Sequence, residues 1–427
     1  MIFPLPTAVN PLLLDMKQRL RLDANTIISS AIDAVLPDAA VMRALEVVTF
    51  PGRVILVAAG KAAWQMAKAA HGYLGNRIEK GIVISKYHHI KGPIGTFVCR
   101  EAGHPVPDEN SFSATKEAMD MVSGLTPQDT VLFLLSGGGS ALFEVPLVSG
   151  QELQDITAQL LSCGAEITEI NTIRKRLSAV KGGRFAQHCA PARIFSIVLS
   201  DIVGDRLDMI ASGPAYPDSS TCRQALEIAE KYKLNLSKEA FSCLQQETPK
   251  ELPNVTTHIT GSVRQLCAAA AAAAEKLGYE ACILTDSLCC QAKDAGTWLA
   301  SYAREHIHHG KKLAFIAGGE TVVKVTGNGK GGRNQELALS AAAGIEGLTG
   351  VCIFSIGSDG TDGPTDAAGG YVDGTTATAL RNHGTDVQKV LENNDAYHAL
   401  GQTEGLIITG PTGTNVNDVA VVLINPT

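Results

Sequence analysis

Long apolar runs, paired cysteines and basic stripes are all missing from this chain, and each absence removes a class of protein. No apolar stretch reaches the about 18 residues of a membrane-crossing helix. The opening residues, Met1-Ile-Phe-Pro-Leu-Pro6, carry two prolines and no basic segment, so an unanchored cytoplasmic protein is expected. Ten cysteines are scattered without C-x-x-C or paired-histidine spacing, which is the pattern of reduced thiols used as small core residues. A formal net charge of -7 and the lack of a Lys/Arg stripe argue against nucleic acid as a general partner. The G-x-x-x-x-G-K-[ST] phosphate loop and the protein-kinase signatures are absent too, which sets aside two large nucleotide-binding classes.

What remains is a globular composition, with 45% hydrophobic and 19% charged residues over 427 positions. That length exceeds one ordinary core, so two domains are expected, 1–245 and 246–427, divided near the polar stretch 236–253. Apolar runs predict strands at 53–59, 81–85, 94–99, 131–135, 193–199, 256–260, 280–285, 313–317, 322–326, 351–356 and 419–424. Helical patterns alternate with them. The fold class is therefore α/β, with a parallel-sheet N-terminal domain and a second α/β domain.

Chemistry concentrates where these strands stop. Five apolar residues at 131–135 run into Ser136, Gly137, Gly138, Gly139 and Ser140, a sequence whose backbone N–H groups can converge on an oxyanion. Lys61 follows the strand at 53–59 and opens a helix, where a cation opposes the helix dipole and so is better accounted for by a ligand. Arg174, Ser178 and Lys181 fall on one helical face as a candidate anion-binding stripe. His104 lies in a rigid turn at 103–108 and reads as bonded to backbone sooner than to substrate. Asp201 stands beyond the carboxyl end of the strand at 193–199, where a catalytic carboxylate is expected in a parallel sheet. In the second half, Gly318-Gly-Glu-Thr321, the run from Gly327 to Glu336, and Gly357 to Asp366 all follow strands. Gly327, Gly329 and Gly332 formally match a dinucleotide fingerprint. Lys330 and Arg333 within that run suit a phosphate chain better, and no carboxylate lies about 20 residues on, Asp359 being the nearest candidate.

Taken together, Gly60-Lys61-Ala62, Gly103-His-Pro, Leu135-Ser-Gly-Gly-Gly-Ser-Ala141, Asn171-Thr-Ile-Arg-Lys, Lys181-Gly-Gly183, Leu199-Ser-Asp-Ile-Val-Gly-Asp205, Ala211-Ser-Gly-Pro214, Gly318-Gly-Glu-Thr321, Gly331-Gly-Arg-Asn-Gln-Glu-Leu337, Ser358-Asp-Gly-Thr-Asp-Gly-Pro364 and Pro411-Thr-Gly-Thr-Asn-Val-Asn-Asp418 resemble the class II glycerate 2-kinase family, whose C-terminal part is the MOFRL domain. The resemblance runs from about residue 10 to the end. It implies ATP- and Mg²⁺-dependent phosphorylation of D-glycerate at the 2-hydroxyl, in a cleft between a Rossmann-like domain and the MOFRL domain. Lys61, Asp201 and Arg333 match the family's proposed active-site residues. Ser136, Gly137, Gly138, Gly139, Ser140, Arg174 and Lys181 are then the expected phosphate or substrate ligands. Gly318, Gly319, Glu320, Lys330, Asn334, Asp359 and Asp362 are the expected nucleotide ligands. Metal candidates are Asp201, Glu320 and Asp359, and a homodimer is a further expectation. Members also carry the name hydroxypyruvate reductase, so an NAD(P)H-dependent reductase is the alternative.

Overall fold

A computed structural model describes residues 11–200 and 207–426, which divide into two compact units. One comprises residues 37–262. The other comprises residues 263–426 together with residues 11–36. The expected boundary at 245/246 differs from this division. The physical reason is that the strand at Val255–Gly261 pairs with Arg193–Leu199 and so completes the first unit's sheet.

The 37–262 unit is built on six parallel strands: β1 Val54–Ala59, β2 Ile78–Lys86, β3 Val98–Ala102, β4 Thr130–Leu135, β5 Arg193–Leu199 and β6 Val255–Gly261. Their spatial order is β3-β2-β1-β4-β5-β6. Every residue of β1 and β4 is buried, as the unbroken apolar runs require of strands covered on both faces. Alternate residues sort the two faces. Val54, Leu56, Ala58, Leu132 and Leu134 pack with the helices Pro37–Leu45 and Ala63–Leu74. Ile55, Val57, Ala59, Val131, Phe133 and Leu135 join Phe143 and Phe185 on the other side. Strand order reverses between β1 and β4, and in such sheets the crevice beyond the carboxyl ends at the reversal is where ligands bind.

The other unit has a mixed sheet of β7 Glu280–Leu288, β8 Leu313–Gly319, β9 Val351–Gly357, β10 Gly369–Asp373, β11 Leu406–Ile407 and β12 Asp418–Ile424. Their order is β11-β10-β9-β12-β8-β7. The N-terminal helix Pro11–Ala34 and the alanine-rich helix Val263–Lys276 cover one face, and Ala292–His306 and Arg333–Gly344 the other. β12 runs antiparallel between β8 and β9, so Asp418 at its start lies in register with Gly319 and Gly357 at their ends. The strand expected at 322–326 does not form, and only Val322 makes an isolated bridge, to Gln291. Among the described residues no helix is long and apolar enough to cross a membrane.

Candidate active site

In the 37–262 unit the crevice between β1 and β4 gathers several of the expected residues. The Lys61 N–H donates to the Gly137 carbonyl at 2.9 Å, and the Ala62 N–H donates to the Ser136 hydroxyl at 3.1 Å, so the two strand-end loops are tied together. Gly138 takes a left-handed conformation with φ 87°. A Cβ there would come 3.0 Å from His104 Cδ2 and 3.2 Å from Lys61 Cγ, so an imidazole and a lysine stem close on this one glycine. Gly139 begins the short helix Gly139–Leu142, and a Cβ on it would meet the Ala211 Cβ at 2.7 Å. Ala211, Ser212 and Gly213 have φ of 51°, 60° and 65°, a run of left-handed backbone that is costly for the two non-glycine residues. What it achieves is placement. Ser212 Oγ donates to Asn171 Oδ1 at 2.8 Å and lies 3.3 Å from Ser140 Oγ, so the strained segment buttresses the glycine loop.

The basic stripe expected at 174–181 splits in two. Arg174 donates to the Ser140 carbonyl at 3.3 Å, its Nε is buried without a protein partner, and burial holds its guanidinium below the ordinary arginine range against the pull of Glu144. It stays with the glycine loop. Lys181 does not: its side chain is fully buried, ion-paired to Glu144 at 2.9 Å and bonded to the Phe143 carbonyl at 2.8 Å. Burial pushes the Lys181 ammonium below its usual range, and the two partners it meets are both protein groups, so it is a core ion pair where a phosphate or substrate ligand was expected. Helical spacing set Arg174 and Lys181 on one face in sequence. The helix Ile167–Arg176, however, ends before Lys181, and the chain then turns inward. Asp201, the expected catalytic carboxylate, lies outside the described residues.

The other unit carries a second constellation at the paired ends of β8, β9 and β12. Arg333, first residue of its helix, grips the Asp418 carboxylate with Nε at 2.5 Å and Nη2 at 3.1 Å, and reaches Glu320 with Nη1 at 3.0 Å. These carboxylates hold the Arg333 guanidinium above its ordinary range despite partial burial. Asp418 is almost completely buried, and that burial outweighs the arginine and raises its carboxyl to about 6. Asp362 accepts the backbone N–H groups of Asn334 and Gln335 at 3.2 and 2.9 Å, which occupies the helix start with a protein carboxylate. Asn334 is buried and accepts from the Ser355 hydroxyl at 2.6 Å. Asp362 and Asn334 thus brace Arg333 from inside the unit.

Gly318 and Gly319 end β8 directly before Glu320, and Asp359 follows β9, where its carboxylate accepts the Thr361 N–H at 2.9 Å. Lys330 turns to another neighbour: its ammonium lies 4.3 Å from the centre of the Tyr397 ring. The glycines of the formal dinucleotide fingerprint are required by packing. Cβ atoms at Gly327 and Gly329 would strike the Asn393 backbone at 2.4 and 2.5 Å, and one at Gly332 the Asp362 carboxyl at 2.3 Å. β8 and β9 are also separated by antiparallel β12, so the run is not part of a parallel βαβ nucleotide fold.

Asp418 is a site residue that the sequence did not single out. Its signals were its place at the end of the Pro411–Asp418 motif and at the start of the final strand.

Each unit thus presents a cation and backbone donors or acidic groups beyond strand ends, the equipment of an enzyme that handles oxyanions. The family model described as "Domain of unknown function (DUF4147)" matches residues 23–245, and the MOFRL family model matches residues 313–418. The chain is similar to a D-glycerate 2-kinase of Thermotoga maritima, 54% identical over 404 residues, covering 93% of this chain and 97% of that one. A crystal structure of a glycerate kinase from Thermotoga maritima superposes with a TM-score of 0.92 at 53% identity, covering 96% of this chain and 100% of the other. A protein of Agrobacterium vitis that carries a hydroxypyruvate reductase name is 38% identical, over 87% of this chain and 100% of its own. The chain belongs to the class II glycerate 2-kinase family, with its MOFRL region in the C-terminal unit.

Proposed function

We propose that this protein transfers the γ-phosphoryl group of ATP to the 2-hydroxyl of D-glycerate, giving 2-phosphoglycerate and ADP. The observation that carries this reading is the β1–β4 crevice, where Lys61 stands beside the 136–140 loop in a chain 54% identical to a D-glycerate 2-kinase. Phosphoryl transfer asks a protein for placement and charge more than for covalent chemistry. Lys61 and the loop amides supply positive potential to oxyanions in the first unit. Arg333, held by Asp418 and Glu320, supplies it to nucleotide phosphates in the second. Asp201 is assigned the orientation or deprotonation of the acceptor hydroxyl.

Mg²⁺ usually binds kinases through one or two carboxylates plus substrate phosphates and water. The described residues fit that mode. They contain no group of three side chains arranged as a metal cage, yet Glu320 is exposed and Asp359 is only partly covered. Those two would hold the ion, which neutralises phosphate charge when bound.

The deciding assay is ADP formation from ATP, Mg²⁺ and D-glycerate with the product fed to enolase and no mutase added, beside NADH oxidation with hydroxypyruvate. An enolase signal establishes both kinase activity and the 2-position. Silence in that arm with NADH consumption would replace this reading with the reductase.

A further inference from the structure

His104 lies beside the glycine loop, and the kinase reading leaves its chemistry unused. Its ring is half-buried, and its Cδ2–Nε2 edge faces Gly138, with Nε2 3.1 Å from where a Cβ on that glycine would stand. Neither ring nitrogen has a hydrogen-bond partner among the described residues, in contrast to the backbone-bonded turn histidine expected from sequence. The turn that carries it is well braced. The Asp108 carboxylate accepts the Gly103 N–H, the Ser111 N–H at 3.0 Å and the Tyr87 hydroxyl at 2.6 Å, so the ring is aimed before any ligand arrives. A half-buried ring held rigidly beside the glycine loop, with neither nitrogen bonded among the described residues, is placed to meet a ligand.

We propose that His104 is a substrate-binding residue whose imidazole N–H donates to an oxyanion received by the 137–139 loop, with Lys61 neutralising that oxyanion's charge. The inference rests on the kinase reading for the identity of the oxyanion, which is either the D-glycerate carboxylate or the phosphoryl group in transfer.

The surroundings say which form of the ring does this. Burial lowers the imidazole to about 4, and the charged or titratable groups facing it, Lys61, Lys86 and His89, reinforce the shift. A ring so hard to protonate is neutral near pH 7. It is also too weak a base to draw a proton from an alcohol effectively, because catalytic bases work best with a pKa near the operating pH. A neutral N–H donor needs no such match, and it leaves the charge balance of the crevice to Lys61.

The test compares His104→Phe, which keeps a ring without a donor, with His104→Gln, which restores an N–H near the Nε2 position. Hydrogen bonds to charged groups are worth enough that the Phe variant should lose roughly 10- to 100-fold. A rise in KM for D-glycerate with unchanged kcat assigns the carboxylate, and a fall in kcat with unchanged KM assigns the phosphoryl group. In either case His104→Gln should recover to within about 3-fold of wild type. If wild-type protein turns over no D-glycerate, the kinase reading fails by itself, and calorimetric binding of inorganic phosphate to wild type and His104→Phe still tests the histidine. Equal phosphate affinity and equal kinetics in wild type and His104→Phe overturn the proposal. So does a His104→Gln variant as impaired as His104→Phe, because the ring would then serve packing alone.

Discussion

Lys61 and Arg333 both stand just beyond strand ends at the start of a helix, yet they are held in opposite ways. The Lys61 ammonium has no protein partner among the described residues, and only its backbone is tied, to Gly137, Ser85 and His89. Arg333 is clasped by a buried carboxylate and an exposed one. The contrast follows from the sheets beneath. In the parallel sheet all carboxyl ends point one way, so the crevice between β1 and β4 is lined by the loops that follow the strands and no strand start intrudes. In the mixed sheet β12 runs backwards between β8 and β9, and it delivers Asp418 to the middle of their ends. A lone lysine can swing to an incoming charge, whereas a clasped arginine is set in place beforehand.

Removing each cation in turn puts this contrast under the greatest strain. Lys61→Ala should lower kcat by roughly 10²- to 10³-fold with little change in melting temperature, since no described protein group loses a bond to its ammonium. Arg333→Ala should lower kcat on a similar scale and also cost about 1–3 kcal/mol of stability, because buried Asp418 loses its partner. Steady-state kinetics with thermal melts reads both quantities. Equal melting shifts for the two variants would contradict the difference in how they are held.

Lys181 bounds the contrast from the other side, as a cation that is only structural. Lys181→Met strands Glu144 in the core and should cost about 3–5 kcal/mol, with kcat per folded molecule unchanged. Adding Glu144→Leu should recover most of the stability. Chemical denaturation of the single and double variants measures this, and a kcat loss that persists in the stable double variant would return Lys181 to the site.

Asp418 predicts a pH effect of smaller size. Its folded carboxyl is raised to about 6 by burial, above the ordinary aspartate value, so folding takes up a proton between those two values. The contribution of this group is therefore fully present below about pH 4 and is lost as pH rises through 6, about 3 kcal/mol in total. Melting curves from pH 4 to 8 should show wild type losing stability relative to Asp418→Asn across that window. Parallel curves would mean that Arg333 keeps the carboxylate ionised. The smallest effect belongs to Ser212→Ala, which removes the Asn171 bond and the Ser140 neighbour. It should cost about 1 kcal/mol and a few-fold in kcat, read by melts and kinetics together.

Much of the fold was legible because buried parallel strands advertise themselves as unbroken apolar runs. The runs at 131–135, 193–199 and 351–356 all became strands within a residue or so. Short pairings at the sheet's far edge were not legible, since Gly369–Asp373 and Leu406–Ile407 owe their pairing to each other and to β9 more than to their own composition. The 322–326 segment failed for the converse reason. Its β-branched residues suit a strand, but it makes only one isolated bridge, and Val322 and Val325 stay exposed.

Candidate oxyanion loops were picked out in the linear chain by glycines, lysines and carboxylates placed directly after apolar runs, although the glycines at 327, 329 and 332 proved to be required by packing. The family could be told in the same way, through many short motifs in one order. Which of those residues face a crevice was settled by folding. Lys181 and Arg174 share a stripe in the linear pattern, yet one is sealed against Glu144 while the other lies under the glycine loop. His104 looked like a turn residue until Gly138 and Lys61 were brought beside it. Spacing along a chain fixes the side of a helix or strand on which a group lies. Whether that side meets solvent, ligand or another charge depends on segments far away in sequence, and those meet only when the sheet is assembled.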